Sequence, residues 1–296
     1  MNNFIYYYYN IKIDDIKYHE KYYTFIYNEY IYRLYIIDEP INNNFIVDID
    51  RKLLAHTLIN EIIFNINKEI ISTYNNQAYI LMRLFTNPEK KITLEEINYF
   101  DNSLRTKNKR INWATLWEKK IDYLEKIISE NGKKYPLITD SFNYFVGMAE
   151  NAIAYYNNIT FDENYDYVIS HKIIRYNDNI DVIYNPLNLI FDYRVRDIAE
   201  YIKNSFFNHN ASIFKEINNY LNYYPLTLTE CKLLISRLMY PSFYFELYED
   251  ILIDNSDEKI IINIINKLPD YEKYLANIIT YLSKIYDIEE IFWLKH

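Results

Sequence analysis

Apolar and aromatic side chains come in short dense runs over the first fifty residues, and further along they recur every three to four positions. The runs from Phe4 to Ile13, Lys21 to Tyr27 and Tyr30 to Ile37 are rich in Tyr, Ile and Phe. Such residues suit a pleated, half-buried surface, and the runs predict strands. Asn28 and Glu29 stand between two of them as a hairpin turn, without the second-position glycine that a type I′ turn prefers. From about Asp50 to Ile70, Leu54, Leu58, Ile62 and Ile66 share one helical face, broadened by Leu53, Ile59, Ile63 and Ile70, so a long helix is expected there. Gln77 to Phe85 reads as a strand again, stopped by Asn87-Pro88.

Beyond this point the regular segments read as helices. Thr93-x-x-Glu96 is a capping box opening a short one. Trp113, Leu116, Trp117, Ile121, Leu124 and Ile128 mark a long amphipathic helix that ends near Asn131-Gly132. Phe142, Phe145, Val146, Ala149, Ile153 and Tyr156 mark the next, and another runs from near Asp197 through Phe207. Thr227-x-x-Glu230 opens a helix that stops at Tyr240-Pro241. Ser256 opens one expected to stop at Leu268-Pro269, and the last begins at Tyr271 and reaches Ile285. Residues 159 to 188 are irregular, and no repeat of fixed period is visible. The chain thus reads as α+β, with residues 1–88 strand-rich around one long helix, residues 89–296 helical, and a hinge-like segment near Thr86 to Lys91.

Composition narrows the chemistry. The 296 residues include 35 Tyr and only 2 Gly. An AT-rich coding sequence accounts for the Tyr, and Gly132 and Gly147 stand too far apart to build a phosphate-cradling P-loop or a dinucleotide-binding turn. One cysteine, Cys231, leaves no internal disulfide or thiolate zinc site, and the five histidines are scattered. A net charge of −9 argues against a nucleic-acid surface. The one basic cluster, Arg105, Lys107, Lys109 and Arg110, reads as a solvated linker. The N-terminus lacks the pattern of a secretory signal, and no apolar run reaches the roughly 18 residues of a membrane span, so a cytoplasmic protein with no membrane partner is expected.

Three strings carry a family resemblance. Tyr135-Pro136-Leu137 with SFNYFVGMAENAIAYY is similar to the helix before the catalytic loop of aminoglycoside-phosphotransferase-like proteins, and in particular of bacterial spore-coat kinase-like proteins. ISHKII followed by NPLNLIFDYRVRDIAEYIK resembles their catalytic loop, metal loop and following helix. SRLMYPSFYFELYEDIL is similar to a stretch of their C-terminal helices. The order of elements agrees, so the resemblance implies a bilobal protein-kinase-like fold with a small mixed N-terminal lobe and a large helical C-terminal lobe.

The resemblance also locates what has changed. Kinase-like enzymes use a strand lysine on the phosphates, a catalytic-loop Asp as base, and an Asn and a second Asp on Mg²⁺. Here His171 matches the family histidine, but Ile173 stands where the base is expected and Asp178 where the metal-binding Asn is expected. The metal-loop Asp falls on Asn185 in the favoured register and on Asp192 in the other, with Asp197 as a loop anchor. Arg33 stands about where the strand lysine would be, and its planar fork is a different tool from a compact ammonium. Losing a general base alone costs ~10²–10⁴-fold in rate.

The expectation is a pseudokinase: a binding or scaffold protein with a protein partner, spore association, and no cofactor of its own. Two alternatives stand beside it. One is an active phosphotransferase using ATP and Mg²⁺ through Asp192 and Asp178, and the other is a helical interaction protein unrelated to kinases. The plainer readings make His171 a histidine bonded to a neighbouring loop, Asp178 a turn residue, and Asp197 a carboxylate at a helix N-terminus.

Overall fold

The structure, a computed structural model, describes residues 1–38, 40–54, 59–85, 89–101, 104–107, 111–161, 166–209, 214–254 and 256–294. They divide into two compact units. The first comprises Met1–Leu104, His171–Ile173 and Asn177–Ile190, and the second comprises Arg105–Ser170, Ile174–Tyr176 and Phe191–His296. The sequence placed its boundary at residue 88. The first unit runs on because Phe100 packs against His171 and Tyr184.

The first unit opens with helix α1 (Asn2–Tyr9), followed by strands β1 (Lys17–His19), β2 (Tyr22–Tyr27) and β3 (Tyr30–Ile37). Helix α2 (Asn43–Leu54), strands β4 (Glu61–Ile63), β5 (Ser72–Tyr74) and β6 (Gln77–Leu84), and helix α3 (Leu94–Asp101) follow. The sheet is antiparallel, in the order β1-β2-β3-β6-β4, with β5 also on β6. Alternation along the strands gives it two apolar faces. On one, Phe4, Ile5 and Tyr9 of α1 pack with Phe25, Tyr32, Leu34, Tyr79 and Leu81. On the other, Ile46 of α2 packs with Ile62, Ile70, Ile80 and Met82.

Two expectations fail here. The run from Phe4 to Ile13 is not a strand, because helical spacing puts Phe4, Ile5 and Tyr9 together against the sheet while Tyr6 and Tyr7 face water. Asn10, in the left-handed region at φ 54°, ends the helix. The long helix over 50–70 is also absent. Helix α2 lies earlier, Leu58 is outside the described residues, and Ile62 faces Met82 across β4 and β6. An Ile-rich run satisfies both periods, and here pairing at the sheet edge wins. Asn65 fixes the turn after β4 by accepting from the backbone N–H groups of Asn67 (2.9 Å) and Glu69 (3.0 Å).

Other expectations hold. Tyr27 and Tyr30 close the β2–β3 hairpin, and Asn28 and Glu29 both take positive φ, the requirement of a type I′ turn. Thr93 and Glu96 exchange capping-box bonds at the start of α3. The strand stop at Asn87-Pro88, and with it residues 86–88 of the hinge-like segment, lies outside the described residues.

In the second unit, β7 (Arg105–Thr106) pairs antiparallel with β8 (Tyr167–His171), so Arg105 is in a strand and not a free linker. Lys109 and Arg110 lie outside the described residues. Strand β9 (Leu189–Asp192), of which Phe191 and Asp192 belong to this unit, completes the small sheet in the order β7-β8-β9. Between β7 and β8 run α4 (Trp113–Asn131) and α5 (Pro136–Asn157), and after β9 come α6 (Val195–Asn204), α7 (Phe214–Tyr223), α8 (Leu228–Met239), α9 (Ser242–Asp254) and α10 (Ile261–Leu282). Helix α8 packs on α5 and α6, and its N-terminus carries the expected Thr227–Glu230 capping box. Aromatic stacking fills the core, with Phe145 on Tyr244 (ring centroids 3.6 Å apart) and Trp117 on Tyr240 (4.4 Å).

Pro269 does not end a helix, contrary to expectation, but sits inside α10. One buried stripe continues through it, Ile261, Ile264 and Leu268 before and Tyr271, Leu275, Ile278 and Leu282 after. Burial of that stripe outweighs the bond that the proline nitrogen cannot donate. Among the described residues no helix is long and apolar enough to cross a membrane.

Candidate functional site

Arg33 lies mid-strand in β3, opposite Thr24 and Met82, on the sheet face that carries α2. A guanidinium on a core-facing position needs a counter-charge. It finds one in Asp181, on a short 3-10 turn (Ile180–Val182) of the loop between β8 and β9. The two side chains form an ion pair, 12% and 5% exposed. The guanidinium lies over the Tyr22 ring, 4.5 Å from its centroid, and the His19 ring stacks with Tyr22 at 4.8 Å. Tyr35 hydrogen-bonds Arg33, and burial pushes the Tyr35 hydroxyl up to about 12 despite the nearby cation.

Asn60 sets the position of this turn. Its backbone N–H donates to the Tyr184 carbonyl (3.0 Å), and its side-chain amide donates to the Asp181 carbonyl (3.3 Å). On the other side the loop is strapped to the chain before α3. The N–H of Ile180 donates to the Lys90 carbonyl (2.7 Å), that of Ile92 to the Asp178 carbonyl (3.0 Å), and Lys91 Nζ to Asn179 Oδ1 (2.7 Å). Asp178 therefore stands in a strapped loop, just after Asn177, which takes a positive φ of 64°.

His171 ends β8 fully buried, with Nε2 3.0 Å from the Ile183 carbonyl and its ring against Phe100. Two residues on, the Ile173 side chain is 55% exposed. Its backbone is held at both ends by Asn188, whose Oδ1 accepts from the Ile173 N–H (3.0 Å) and whose amide donates to the Ile173 carbonyl (2.7 Å). Asn185 caps a 3-10 turn by accepting from the Leu187 N–H (3.0 Å).

The second unit holds the other two candidates. Both oxygens of buried Asp192 are engaged, Oδ1 by Trp113 Nε1 (2.9 Å) and the Tyr193 N–H (2.7 Å), Oδ2 by Arg196 (3.0 Å). Burial pushes this carboxyl above its ordinary value, against the pull of Arg196 and Arg237. Asp197 is fully buried in the first turn of α6. A second buried cluster lies nearby in the chain. Lys203 Nζ donates to Glu200 Oε1 (2.9 Å), the Arg237 carbonyl (3.1 Å) and Ser242 Oγ (2.6 Å), and Arg237 Nε also donates to Glu200 (2.6 Å). Burial brings Lys203 down to about 8 even beside Glu200, and the two cations hold Glu200 well below the carboxylate range although burial opposes them. Lys203 Nζ, both Glu200 oxygens, Arg237 Nε and Ser242 Oγ each have a partner, the mark of a structural network.

Within the first unit the structure brings Arg33 together with a carboxylate that sequence reasoning did not single out. Asp181 sits in the string Ile180-Asp181-Val182-Ile183, flanked by buried isoleucines, and a carboxylate so placed must be paired. Asn60 and Asn188, which position the loop, carry no comparable signal in the sequence.

Mg²⁺ held with ATP needs carboxylate or amide oxygens free to coordinate. The side-chain oxygens of Asn185 and Asp192 are engaged, and among the described residues no group of three or more His, Cys, Asp or Glu could hold a metal ion.

Comparison with known proteins gives a consistent answer. The family described as "Spore coat putative kinase YutH" matches residues 2–278. The endospore coat-associated protein YutH of Bacillus subtilis (strain 168) is 29% identical over 184 residues, 55% of this chain and 54% of that protein, so the match spans about half of the curated relative. Among solved structures, an aminoglycoside phosphotransferase from Alicyclobacillus acidocaldarius superposes with a TM-score of 0.67 at 10% identity, covering 92% of this chain and 93% of the other. Spectinomycin phosphotransferase APH(9)-Ia, solved with ADP and spectinomycin, gives 0.61 at 11% identity, covering 93% and 92%. At such identities the likeness is one of fold, and the fold is the protein-kinase-like one of aminoglycoside phosphotransferases.

Proposed function

The chain belongs to the spore coat YutH family, and we propose that it is a degenerate member, a pseudokinase that acts at the spore coat by binding a protein partner. The observation that carries this reading is Ile173. Two residues after the buried His171, where the resemblance expects a catalytic Asp, stands an exposed aliphatic side chain whose backbone Asn188 holds at both ends. An isoleucine neither accepts a proton nor binds a metal.

The other positions support the same reading. Arg33 is committed to Asp181. The Asn185 amide serves as a cap and the Asp192 carboxylate as a hub for Trp113 and Arg196. Residues that would carry metal and phosphate in an active enzyme are used here to hold the chain together. The endospore coat association of the Bacillus subtilis relative points to the same compartment for this chain.

The test is phosphoryl transfer from ATP, with Mg²⁺ or Mn²⁺, to aminoglycoside and protein acceptors. No turnover above the protein-free control is expected. Turnover that His171→Ala or Asp192→Ala abolishes would overturn the reading and establish an ATP- and Mg²⁺-dependent phosphotransferase.

A further inference from the structure

Helix α1 buries Phe4, Ile5 and Tyr9 on the sheet, but its outer face lacks the charges that a surface helix ordinarily turns to water. That face carries Tyr6 and Tyr7 instead, both exposed. Beside Tyr7, the helix and the end of β5 bound an open hollow of about 480 Å³. Asn3, Phe4, Tyr7, Tyr8 and Tyr74 line it, and no charged side chain does. The hollow belongs to the sheet face that α1 covers, opposite the face of Arg33. Its volume falls within the roughly 300–1,000 Å³ of small-ligand sites.

The walls are corrugated. Buried Phe4 meets Tyr8 (ring centroids 4.9 Å apart) and Tyr74 (5.6 Å), each at an interplanar angle of 51°. Tyr7 meets Tyr8 at 5.0 Å and 84°. Rings so inclined leave notches between them and offer no flat platform. A saccharide stacks on a flat ring face, whereas the puckered pyrrolidine ring of proline wedges between two rings. The Tyr8 hydroxyl donates to the Thr73 carbonyl (3.0 Å) and so ties the helix wall to β5. The hydroxyls of Tyr7 and Tyr74 and the side-chain amide of exposed Asn3 make no hydrogen bond among the described residues, which leaves donors for a ligand's carbonyls. Uncharged walls give an ion no partner. A polyproline II segment meets all these terms, with apolar rings, carbonyls free of internal hydrogen bonds, and a conformation set before binding.

We propose that this hollow binds a proline-rich segment of a protein partner in the polyproline II conformation. Proline rings enter the notches beside Phe4, Tyr8 and Tyr74, and Tyr7, Tyr74 and Asn3 donate to the segment's carbonyls. The inference rests on the partner-binding reading above and gives it a surface and a partner chemistry.

The experiment is a fluorescence-anisotropy titration of labelled decaproline with the full chain, beside a Gly-Ser peptide of equal length and label. Decaproline binds saturably and the Gly-Ser peptide does not. Tyr7→Ala and Tyr74→Ala each weaken binding by about tenfold or more, while Tyr18→Ala, at an exposed position of β1 outside the hollow, leaves it unchanged. Circular-dichroism melts check that each variant is folded. If Tyr74→Ala melts early, Tyr7→Ala carries the test, because its side chain is 67% exposed. Absence of saturable decaproline binding overturns the inference, and so does binding that neither hollow variant weakens. Calorimetric binding of cellotetraose that Tyr7→Ala abolishes, with decaproline inert, also overturns it and assigns the hollow to saccharides. A failure here strikes the hollow alone, whereas the pseudokinase reading fails on wild-type turnover of ATP.

Discussion

Asn188 holds Ile173 by both of its backbone groups, accepting from its N–H at 3.0 Å and donating to its carbonyl at 2.7 Å. A single amide thereby fixes the loop position at which a kinase-like enzyme would carry its base. Asn188 also donates to the Val182 carbonyl (3.3 Å), so one residue ties together both ends of the loop. Asn188→Ala is expected to destabilise the fold by about 1–3 kcal/mol, read as a lower denaturant midpoint.

Ile173→Asp isolates the question of the base. The side chain is exposed, so stability should change by less than about 0.5 kcal/mol. No phosphoryl transfer is expected, because Asn185 and Asp192 still offer no free metal ligand. Turnover from this one substitution would show that the rest of the machinery is intact.

Asp192→Ala is a test of stability more than of metal binding. It removes the acceptor of Trp113 Nε1 and the carboxylate partner of Arg196 inside the second unit. Breaking a buried pair on one side costs about 3–5 kcal/mol, so a marked fall in melting temperature is expected. A variant of unchanged stability that had lost metal-dependent nucleotide binding would assign Asp192 to a metal site.

Asp50 supplies a pH test. Its carboxyl lies buried on α2, and burial pushes it up from 3.8 to about 6 despite a hydrogen bond from the Ile62 backbone. Glu61 nearby acts in the same direction, and Arg51 opposes. The folded-state value is raised, so this group's contribution is fully present below the unfolded value and is lost as pH rises through about 6. Asp50→Asn keeps an acceptor for the Ile62 N–H and removes the charge. Its stability should match the wild type below about pH 4 and exceed it above pH 6, by at most about 3 kcal/mol. Urea midpoints of both proteins across this range give the answer, and a constant difference would contradict it.

The hairpin turns store removable strain. Glu29 (φ 69°) and Asn76 (φ 64°) occupy the second left-handed position of their turns. Glycine adopts that conformation without the cost of a Cβ, about 1 kcal/mol. Glu29→Gly should raise the melting temperature by about 2–4 °C, and Asn76→Gly by less, since asparagine tolerates the left-handed region better.

These residues show how far the sequence could be read. The β2–β3 hairpin, the two capping boxes and the long helices α4 and α5 follow from local chemistry and one clear period, and all were legible. The Tyr run at the N-terminus favoured a strand by propensity, but the sheet offered an apolar face that a helix could cover. Pro269 reads as a stop only if the stripe from Ile261 to Leu282 is overlooked. At the candidate site, Arg33, His171, Asp178, Asn185, Asp192 and Asp197 could be named from the chain. The partnership of Arg33 with Asp181 spans 148 positions and is set by tertiary packing, so spacing could not reveal it.

The most direct test of the central claim is a thermal-shift titration of the wild-type protein with ATP or ADP, with and without Mg²⁺ or Mn²⁺. A specific ligand at about 100 times its dissociation constant stabilises a fold by about 2.7 kcal/mol, several degrees for a chain of this size. A guanidinium committed to Asp181 and, in the same unit, an Asn185 side chain used as a cap predict no metal-dependent shift with either nucleotide. A shift of several degrees that requires the metal would contradict the pseudokinase account and return the protein to the active phosphotransferases.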